Sequence, residues 1–440
     1  MAAPRTYHLV TLGCPKNDVD SSHLERLLAG GELRPVADPA EADAIIVNTC
    51  GFIEQSQAQS MAAVQELAAG KREGQTLIVA GCMTQLYGRQ VKEETPGVDH
   101  VFGVGQWTEV ARLLQVDPGA IFDIPESNVR VDGPSAYLKI SDGCDAPCTF
   151  CVIPKIKGGL RSAPAGLLVK EAQRLVAAGA KELVLVGQDT TAWGEDLGMP
   201  VGSGLPGLLR MLSEAVGPGT WLRLMYAYPS RVTPELIATM AELPNVVHYL
   251  DMPLQHGSEA VLRRMKRPHN LERVYRFIEE LRRAMPDIVL RTSFIAGFPG
   301  ETEEEFEELL AFAQAVEFDH AGCFTYSRQQ WTGAYGMEGQ VPDEVKAERR
   351  DRFMAMQQGV SARRAQRFVG RTLDLLVEGT GEDEDGRPVV AGRTYREAPE
   401  VDGLVFARGK AAPGERVRVR IDDAGPYDLF GRGVGGRGRG

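Results

Sequence analysis

The chain has 440 residues, 43% of them hydrophobic and 25% charged, a composition that excludes a mainly disordered chain and, at ~150 residues per domain, predicts about three domains. Its 49 Lys and Arg against 60 Asp and Glu leave a net charge of −11, which argues against a surface built throughout to grip nucleic acid, although a local basic patch stays open. No run approaches the ~18 apolar residues of a membrane span, and the opening MAAPRTYHLVTLGC lacks the long apolar centre of a secretory signal, so a cytoplasmic location without a membrane partner is expected.

Residues 1–125 read as alternating strands and helices. YHLVTLG, DAIIVNTC and QTLIVAGC are the strands. DVDSSHLERLLAGG follows the first, with Ser22 and Glu25 at capping-box spacing and Gly30-Gly31 as a stop. A helix from Ile53 to Ala69 and the stretch TQLYGRQVKEE follow the other two. This alternation predicts a parallel sheet covered on both faces. The stretch 115–134 reads as a linker. Within 126–366, the strands AYLKIS, ELVLVG, WLRLMY, VVHYL, IVLRTSFI and HAGCFTY alternate with helices such as GLLVKEAQRLVAAG and NLERVYRFIEELRRAM. Six such units fall short of a closed eight-fold barrel and predict a partial one, closed by one or two helices in VPDEVKAERRDRFMAMQQGVSARRAQRFVG. Residues 367–434 change character: RTLDLLVEG, RPVVAGRT, GLVFARG and ERVRVRID predict a small antiparallel β-barrel. The closing GRGVGGRGRG is of low complexity, and 435–440 are expected to be a disordered Arg/Gly tail.

The seven cysteines are the most informative residues. In a reducing compartment clustered Cys bind metal or do chemistry more often than they form disulfides. Cys144, Cys148 and Cys151 form CDAPCTFC directly after the first strand of the central region. Structural zinc asks for four protein ligands, commonly as separated CxxC pairs, and neither a second pair nor a His lies nearby. Three Cys with a free fourth position suit a cubane iron–sulfur cluster with one unligated iron; zinc is the alternative. Cys14, Cys50 and Cys82 each end a strand of the first region, in VTLGC, VNTC and VAGC. Each alone would be a buried core residue. Ligands gather outside the carboxyl ends of parallel strands, so three thiols at that edge would equally suit a second cluster, and placement alone leaves the two readings level.

The CxxxCxxC loop at the end of a first barrel strand resembles the signature of radical S-adenosylmethionine (SAM) enzymes. That resemblance implies that the open iron chelates the amino and carboxylate groups of SAM and that the reduced cluster cleaves it to a 5′-deoxyadenosyl radical. The protein then positions the reactants and excludes side reactions. The order of all six cysteines, followed by a small β domain, is similar over nearly the whole chain to the methylthiotransferase family. The resemblance implies a flavodoxin-like N-terminal domain (1–125), a radical SAM partial (β/α)6 barrel (126–366) and a TRAM domain (367–434). It also implies two [4Fe-4S] clusters, with Cys144, Cys148 and Cys151 holding the one that exchanges with SAM and Cys14, Cys50 and Cys82 an auxiliary one that carries the donated sulfur. Cys323, in a strand outside both sets, reads as buried and inert. In such enzymes GFPGETEEEF, from Gly297, lies beside the adenosine of SAM, and VGQDTTAWG contacts its amino group, so Gly297 and Gln188 are candidate SAM contacts. His256 in MPLQHGS is given no catalytic role, a lone His being more often structural.

Within the family one branch modifies adenosine derivatives of transfer RNA and another an aspartate of the small-subunit ribosomal protein uS12. Asn48-Thr49-Cys50-Gly51-Phe52-Ile53, Lys139-Ile140-Ser141-Asp142-Gly143-Cys144, Ile156-Lys157-Gly158-Gly159 before Arg161-Ser162, and Gln188-Asp189-Thr190-Thr191 resemble the protein-modifying branch. Charge agrees: Arg371 to Phe430 holds nine Lys and Arg against thirteen Asp and Glu, a net −4. An RNA-gripping domain should be basic, whereas an acidic one suits a basic ribosomal protein. GEDEDG (381–386) supplies four of those acids, and is equally a solvated hairpin turn; the Arg/Gly tail leaves direct RNA contact open. The expected activity is methylthiolation of the uS12 aspartate at its β-carbon, with an electron donor and a sulfur source as further partners. Transfer-RNA methylthiolation and a non-catalytic iron–sulfur ribosome-binding protein are the alternatives.

Overall fold

The computed structural model describes residues 5–31, 33–117, 131 and 133–434. The expected Arg/Gly tail and most of the expected linker lie outside them. The N-terminal unit comprises β1 (Thr6–Thr11), α1 (Pro15–Ala29), β2 (Arg34–Pro35), β3 (Ala44–Thr49), α2 (Glu54–Ala69), β4 (Thr76–Gly81), α3 (Cys82–Glu94), β5 (His100–Val101) and α4 (Trp107–Leu113). Its parallel sheet runs β2-β1-β3-β4-β5, the flavodoxin-like order, whose ligand crevice opens between β1 and β3. The three apolar runs are its inner strands; β2 and β5, two residues each, escaped notice because pairs that short carry no periodicity. One expectation is corrected. The first helix starts at Pro15, with Cys14 as its N-cap residue, so Ser22 lies inside it rather than capping it. Proline at the first position has its fixed φ already set for the helix and no N–H to leave unpaired.

The central unit comprises β6 (Ser135–Lys139), β7 (Ser141–Asp142), α5 (Ile153–Ile156), β8 (Arg161–Ser162), α6 (Ala165–Ala177), β9 (Glu182–Val186), α7 (Gly204–Val216), β10 (Trp221–Leu224), α8 (Pro234–Glu242), β11 (Val246–Asp251), α9 (Glu259–Arg264), α10 (Leu271–Ala284), β12 (Val289–Ala296), α11 (Glu303–Val316), β13 (His320–Thr325) and α12 (Asp343–Gln366). The six strands of the expected partial barrel pair in parallel in the order β6-β9-β10-β11-β12-β13. Alternation assigns the faces. Leu183, Leu185, Leu222, Leu224 and Leu290 pack on the helices, while Val184, Val186, Val247, Tyr249 and Val289 belong to a second cluster shared with the C-terminal unit.

That unit is β14 (Thr372–Glu382), β15 (Pro388–Arg393), β16 (Val405–Arg408), β17 (Arg416–Ala424) and β18 (Leu429–Gly433), closed into a barrel in the order β14-β15-β16-β18-β17. Here the low-complexity reading of GRGVGGRGRG is corrected in part. Its first three residues belong to β18, paired with β16 and β17, because ladder hydrogen bonds are a property of the backbone. Of GEDEDG, Gly381 and Glu382 end β14 and the rest turns towards β15, closed on Asp383 Oδ1 by the Asp385 and Arg387 amides.

The segment 393–402 lies on the face of the central sheet that the helices leave free. Arg223 donates to the carbonyls of Tyr395 (2.8 Å) and Thr394 (3.3 Å). The Tyr249 hydroxyl donates to Asp402 (2.7 Å). Glu182, fully buried, pairs with Arg223 (2.7 Å) and Arg393 (2.8 Å). Burial alone would raise its carboxyl, but the two guanidiniums and Ser135 outweigh it and hold the pKa down to about 2, against an ordinary 4.5. Removing one member of a buried ionic group strands the others, so Glu182→Ala is expected to cost about 3–5 kcal/mol. The native group binds its proton more weakly than the unfolded one. Its stabilisation is therefore complete above pH 4.5 and lost as pH falls towards 2. Melting curves of wild type and Glu182→Gln should differ by a constant amount at neutral pH and converge through that acidic window.

Candidate metal centres

Each N-terminal cysteine leaves the carboxyl end of a parallel strand: Cys14 after β1, Cys50 after β3, and Cys82 as the first residue of α3 after β4. The loops close on one another. A Cβ at Gly13 (φ +111°) would stand 2.7 Å from Cys50 Cβ and 2.9 Å from its Sγ, so only glycine lets the Cys14 loop press so close. Asn17, 1% exposed, ties the edge together: its Nδ2 donates to the carbonyls of Leu12 (2.7 Å) and Thr49 (3.2 Å), and its Oδ1 accepts from Cys82 Sγ at 3.7 Å. Asn48 answers with its Nδ2 on Asn17 O and Ser21 Oγ, each at 3.0 Å. Ser60 Oγ accepts from the Cys50 amide and donates to its carbonyl. Burial pushes the Cys82 thiol up to about 12, opposed by the field of Lys157 and reinforced by Cys50 and Cys14. Cys50 is raised by burial and by Cys14.

The second trio lies on the loop after β7. The Cys144 amide donates to Gly158 O (3.1 Å), an approach that needs glycine at 143, where any Cβ would strike the Gly159 carbonyl. Cys144 Sγ accepts from the Ala146 amide (3.4 Å), and the Cys151 amide donates to Cys148 O (3.2 Å). Burial, reinforced by Cys148 and Cys144, pushes the Cys151 thiol up to about 12. Among the described residues no three His, Cys, Asp or Glu converge tightly enough to hold one metal ion. A cubane spreads three thiolates over three irons and asks for a wider spacing than a single zinc.

The two trios share a seam. Cys82 packs with Val152 and Ile156, the residues that follow Cys151. Asp20, on the helix that starts beside Cys14, pairs with Lys139 and, at 3.0 Å, with Lys157; both lysines also lie 3.4 Å from Asp142. Burial alone would raise the Asp142 carboxyl, but Lys139 and Lys157 outweigh it and hold it low.

Residues 6–103 match the uncharacterized protein family UPF0004, residues 138–313 the Radical SAM superfamily and residues 369–434 the TRAM domain. A ribosomal protein uS12 methylthiotransferase RimO of Chloroflexus aurantiacus is 45% identical over 97% of this chain and 99% of its own length. Its counterpart in Anaeromyxobacter sp. strain K is 46% identical over 98% and 94%. The chain belongs to the RimO family of methylthiotransferases. Among solved structures, the radical SAM methyltransferase TsrM from Kitasatospora setae, determined with cobalamin and a [4Fe-4S] cluster, superposes with a TM-score of 0.56 at 16% identity, covering 75% of this chain and 77% of that one. The cobalamin-dependent SAM radical enzyme OxsB gives 0.52 at 13%, covering 81% and 56%. At such identities the likeness is one of fold.

In this RimO-family chain the other expected residues fall as follows. Gln188 sits after β9, its side chain on Asp142 and its Oε1 buried without a hydrogen-bond partner, as is Ser141 Oγ. Two orphaned acceptors beside the cysteine loop fit a site that expects a polar ligand. Gly297 (φ +75°) leaves no space for a Cβ, because Lys346 packs on it, and its amide donates to Glu301 Oε1 (2.9 Å). His256 is structural: fully buried, it accepts from the Ser258 amide at Nδ1 (2.9 Å) and meets Glu301 at Nε2 (3.2 Å). Cys323 lies in the core, 6% exposed, burial pushing its thiol up to about 12. Asn17 was not foreseen, and Asn48 was read only as part of the stretch that resembles the protein-modifying branch; a polar residue three places after Cys14 and another two before Cys50 were the available signal for their role. Asn17→Ala is expected to cost about 1–3 kcal/mol by stranding buried carbonyls, measured by denaturant unfolding. It should also speed alkylation of Cys50 and Cys82, mapped by mass spectrometry, while leaving Cys323 unchanged.

Proposed function

We propose that the chain is a radical SAM methylthiotransferase that inserts a methylthio group at the β-carbon of an aspartate in ribosomal protein uS12. The observation that carries this reading is the docking of two cysteine-bearing segments, three thiols at the carboxyl ends of β1, β3 and β4 and three on the loop after β7, joined where Cys82 packs on Val152 and Ile156 and Asp20 pairs with Lys157. Cys144, Cys148 and Cys151 hold the cluster that binds SAM, and Cys14, Cys50 and Cys82 hold the auxiliary cluster. When bound, the two groups supply one-electron cleavage of SAM on one side and sulfur on the other.

The chain's own residues do the rest. The Cys50, Cys82, Cys144 and Cys151 thiols, which burial makes reluctant to ionise alone, would lose their protons as iron binds. Gln188 Oε1 and Ser141 Oγ are the free acceptors for the ammonium group of SAM. The turn at Gly297 presents backbone beside its adenosine. Asp20, Lys139, Lys157 and Asp142 keep the two trios in register, so that a substrate carbon activated at one side lies within reach of sulfur at the other. The net −4 of Arg371 to Phe430 favours a basic protein over RNA as substrate. The reaction needs an electron donor and a sulfur source. No helix among the described residues is long and apolar enough to cross a membrane, and a cytoplasmic site of action follows from the ribosomal substrate.

Anaerobically reconstituted enzyme with SAM, a reductant and a sulfur source, offered uS12 and transfer RNA in separate reactions, tests the reading. Mass spectrometry should find the methylthio increment on the uS12 aspartate. An increment on transfer RNA with none on uS12 would overturn the assignment. The trios should also separate by mutation: Cys148→Ala abolishes 5′-deoxyadenosine formation, measured by chromatography, whereas Cys50→Ala keeps it and loses only the methylthio product. Equal loss in both would contradict the division of roles.

A further inference from the structure

Arg267 follows α9 and is 7% exposed. Its Nη1 lies 3.7 Å from Cys148 Sγ in donor geometry, its Nη2 donates to the Pro253 carbonyl, and its Nε has no partner. The guanidinium rests on the Tyr228 ring at 4.1 Å. Among the described residues no carboxylate lies within ion-pair distance of it. The other guanidinium over Tyr228, that of Arg231, is by contrast neutralised by Asp189 (3.2 Å) and Glu195 (2.6 Å). The backbone that delivers Arg267 is also fixed to the cysteine loop. The Thr149 amide donates to Met265 O (3.0 Å), Thr149 Oγ1 donates to Arg264 O (2.9 Å), and Lys266 (φ +52°) closes the end of α9, its amide on Arg263 O and that of Arg267 on Leu262 O. A buried, permanently charged guanidinium with no carboxylate in ion-pair reach is costly. It points to an anion that is to be met at Cys148.

We infer that Arg267 is a positioning residue whose unpaired guanidinium serves as the counter-charge of the cluster held by Cys144, Cys148 and Cys151, donating to the Cys148 sulfur and making that cluster easier to reduce. This rests on the cluster assignment proposed above. A cubane with three thiolates is anionic and becomes more so when it takes up an electron. A fixed cation and an N–H donor at one of its sulfurs therefore stabilise the reduced form more than the oxidised one. The carboxylate of SAM is the other anion that a guanidinium here would meet, and the two roles separate experimentally.

The test is an EPR-monitored redox titration of reconstituted wild type, Arg267→Lys and Arg267→Met, first without SAM, alongside SAM affinity by equilibrium binding. The cluster in question is recognised as the signal that SAM perturbs. In Arg267→Met its SAM-free midpoint should move to more negative potential while the other cluster's stays in place. Arg267→Lys, which keeps the charge and loses the fork, should fall between. An unmoved SAM-free midpoint in Arg267→Met overturns the inference; if SAM affinity falls at the same time, the guanidinium belongs to the SAM carboxylate. Should wild type show no SAM-responsive cluster, the cluster assignment fails instead. Iron content equal to wild type in both variants identifies a shifted midpoint as tuning, and a variant that loses its iron overturns the inference in favour of a structural role for Arg267.

Discussion

Asp20 reaches from α1 of the N-terminal unit to the edge of the central one and meets Lys139 and Lys157 there. The rest of the arrangement depends on this pairing. The N-terminal parallel sheet delivers three strand ends, and their thiols, to one edge, while a single loop carries the three thiols of the central unit. What neither unit dictates alone is that the two edges face each other. The group of two carboxylates and two ammoniums, with Asp20 and Lys157 buried at its centre, does that, and a misdocked interface that stranded either of those two charges would cost several kcal/mol. Cys82 against Val152 and Ile156 fills the same seam with apolar contact.

The C-terminal barrel has a second task beside any it performs with a partner. Its segment 393–402 covers the sheet face that the helices leave bare, and it brings hydrogen-bonding groups to meet Arg223, Tyr249 and Glu182. The central unit is thus a partial barrel whose open side is closed by another domain. A closed interior matters for reactive intermediates, which survive only where water and stray hydrogen donors are kept out. The fold and the proposed chemistry therefore ask the same of the same contacts.

Much of this was legible in the residue order. Runs such as AIIVNT and ELVLV are strands because both faces are buried in a covered parallel sheet, and Cys14, Cys50 and Cys82 stand at strand ends as their sequence setting implies. The first helix was entered too late, since the Ser22–Glu25 spacing mimicked a cap while Pro15 set the true start. The fifth strand of the C-terminal barrel was hidden in a glycine-rich run, where no side-chain pattern exists to betray a backbone ladder. Long-range electrostatics were invisible. Asp20 and Lys157 are 137 positions apart, and nothing local marks either as half of a pair. The same holds for Arg267 and Cys148, brought together only by the fold.

The central claim is that two clusters, held by two cysteine trios, stand across one seam. Pulsed EPR on the fully reduced, anaerobically reconstituted protein measures this most directly, because two paramagnetic clusters at close range couple through space. The account predicts two cubanes per chain with a clear dipolar interaction, lost in both the Cys14/Cys50/Cys82→Ala and the Cys144/Cys148/Cys151→Ala triple variants, each of which keeps one isolated cluster. Two clusters with no measurable coupling, or a single cluster that survives both triple variants, would contradict it.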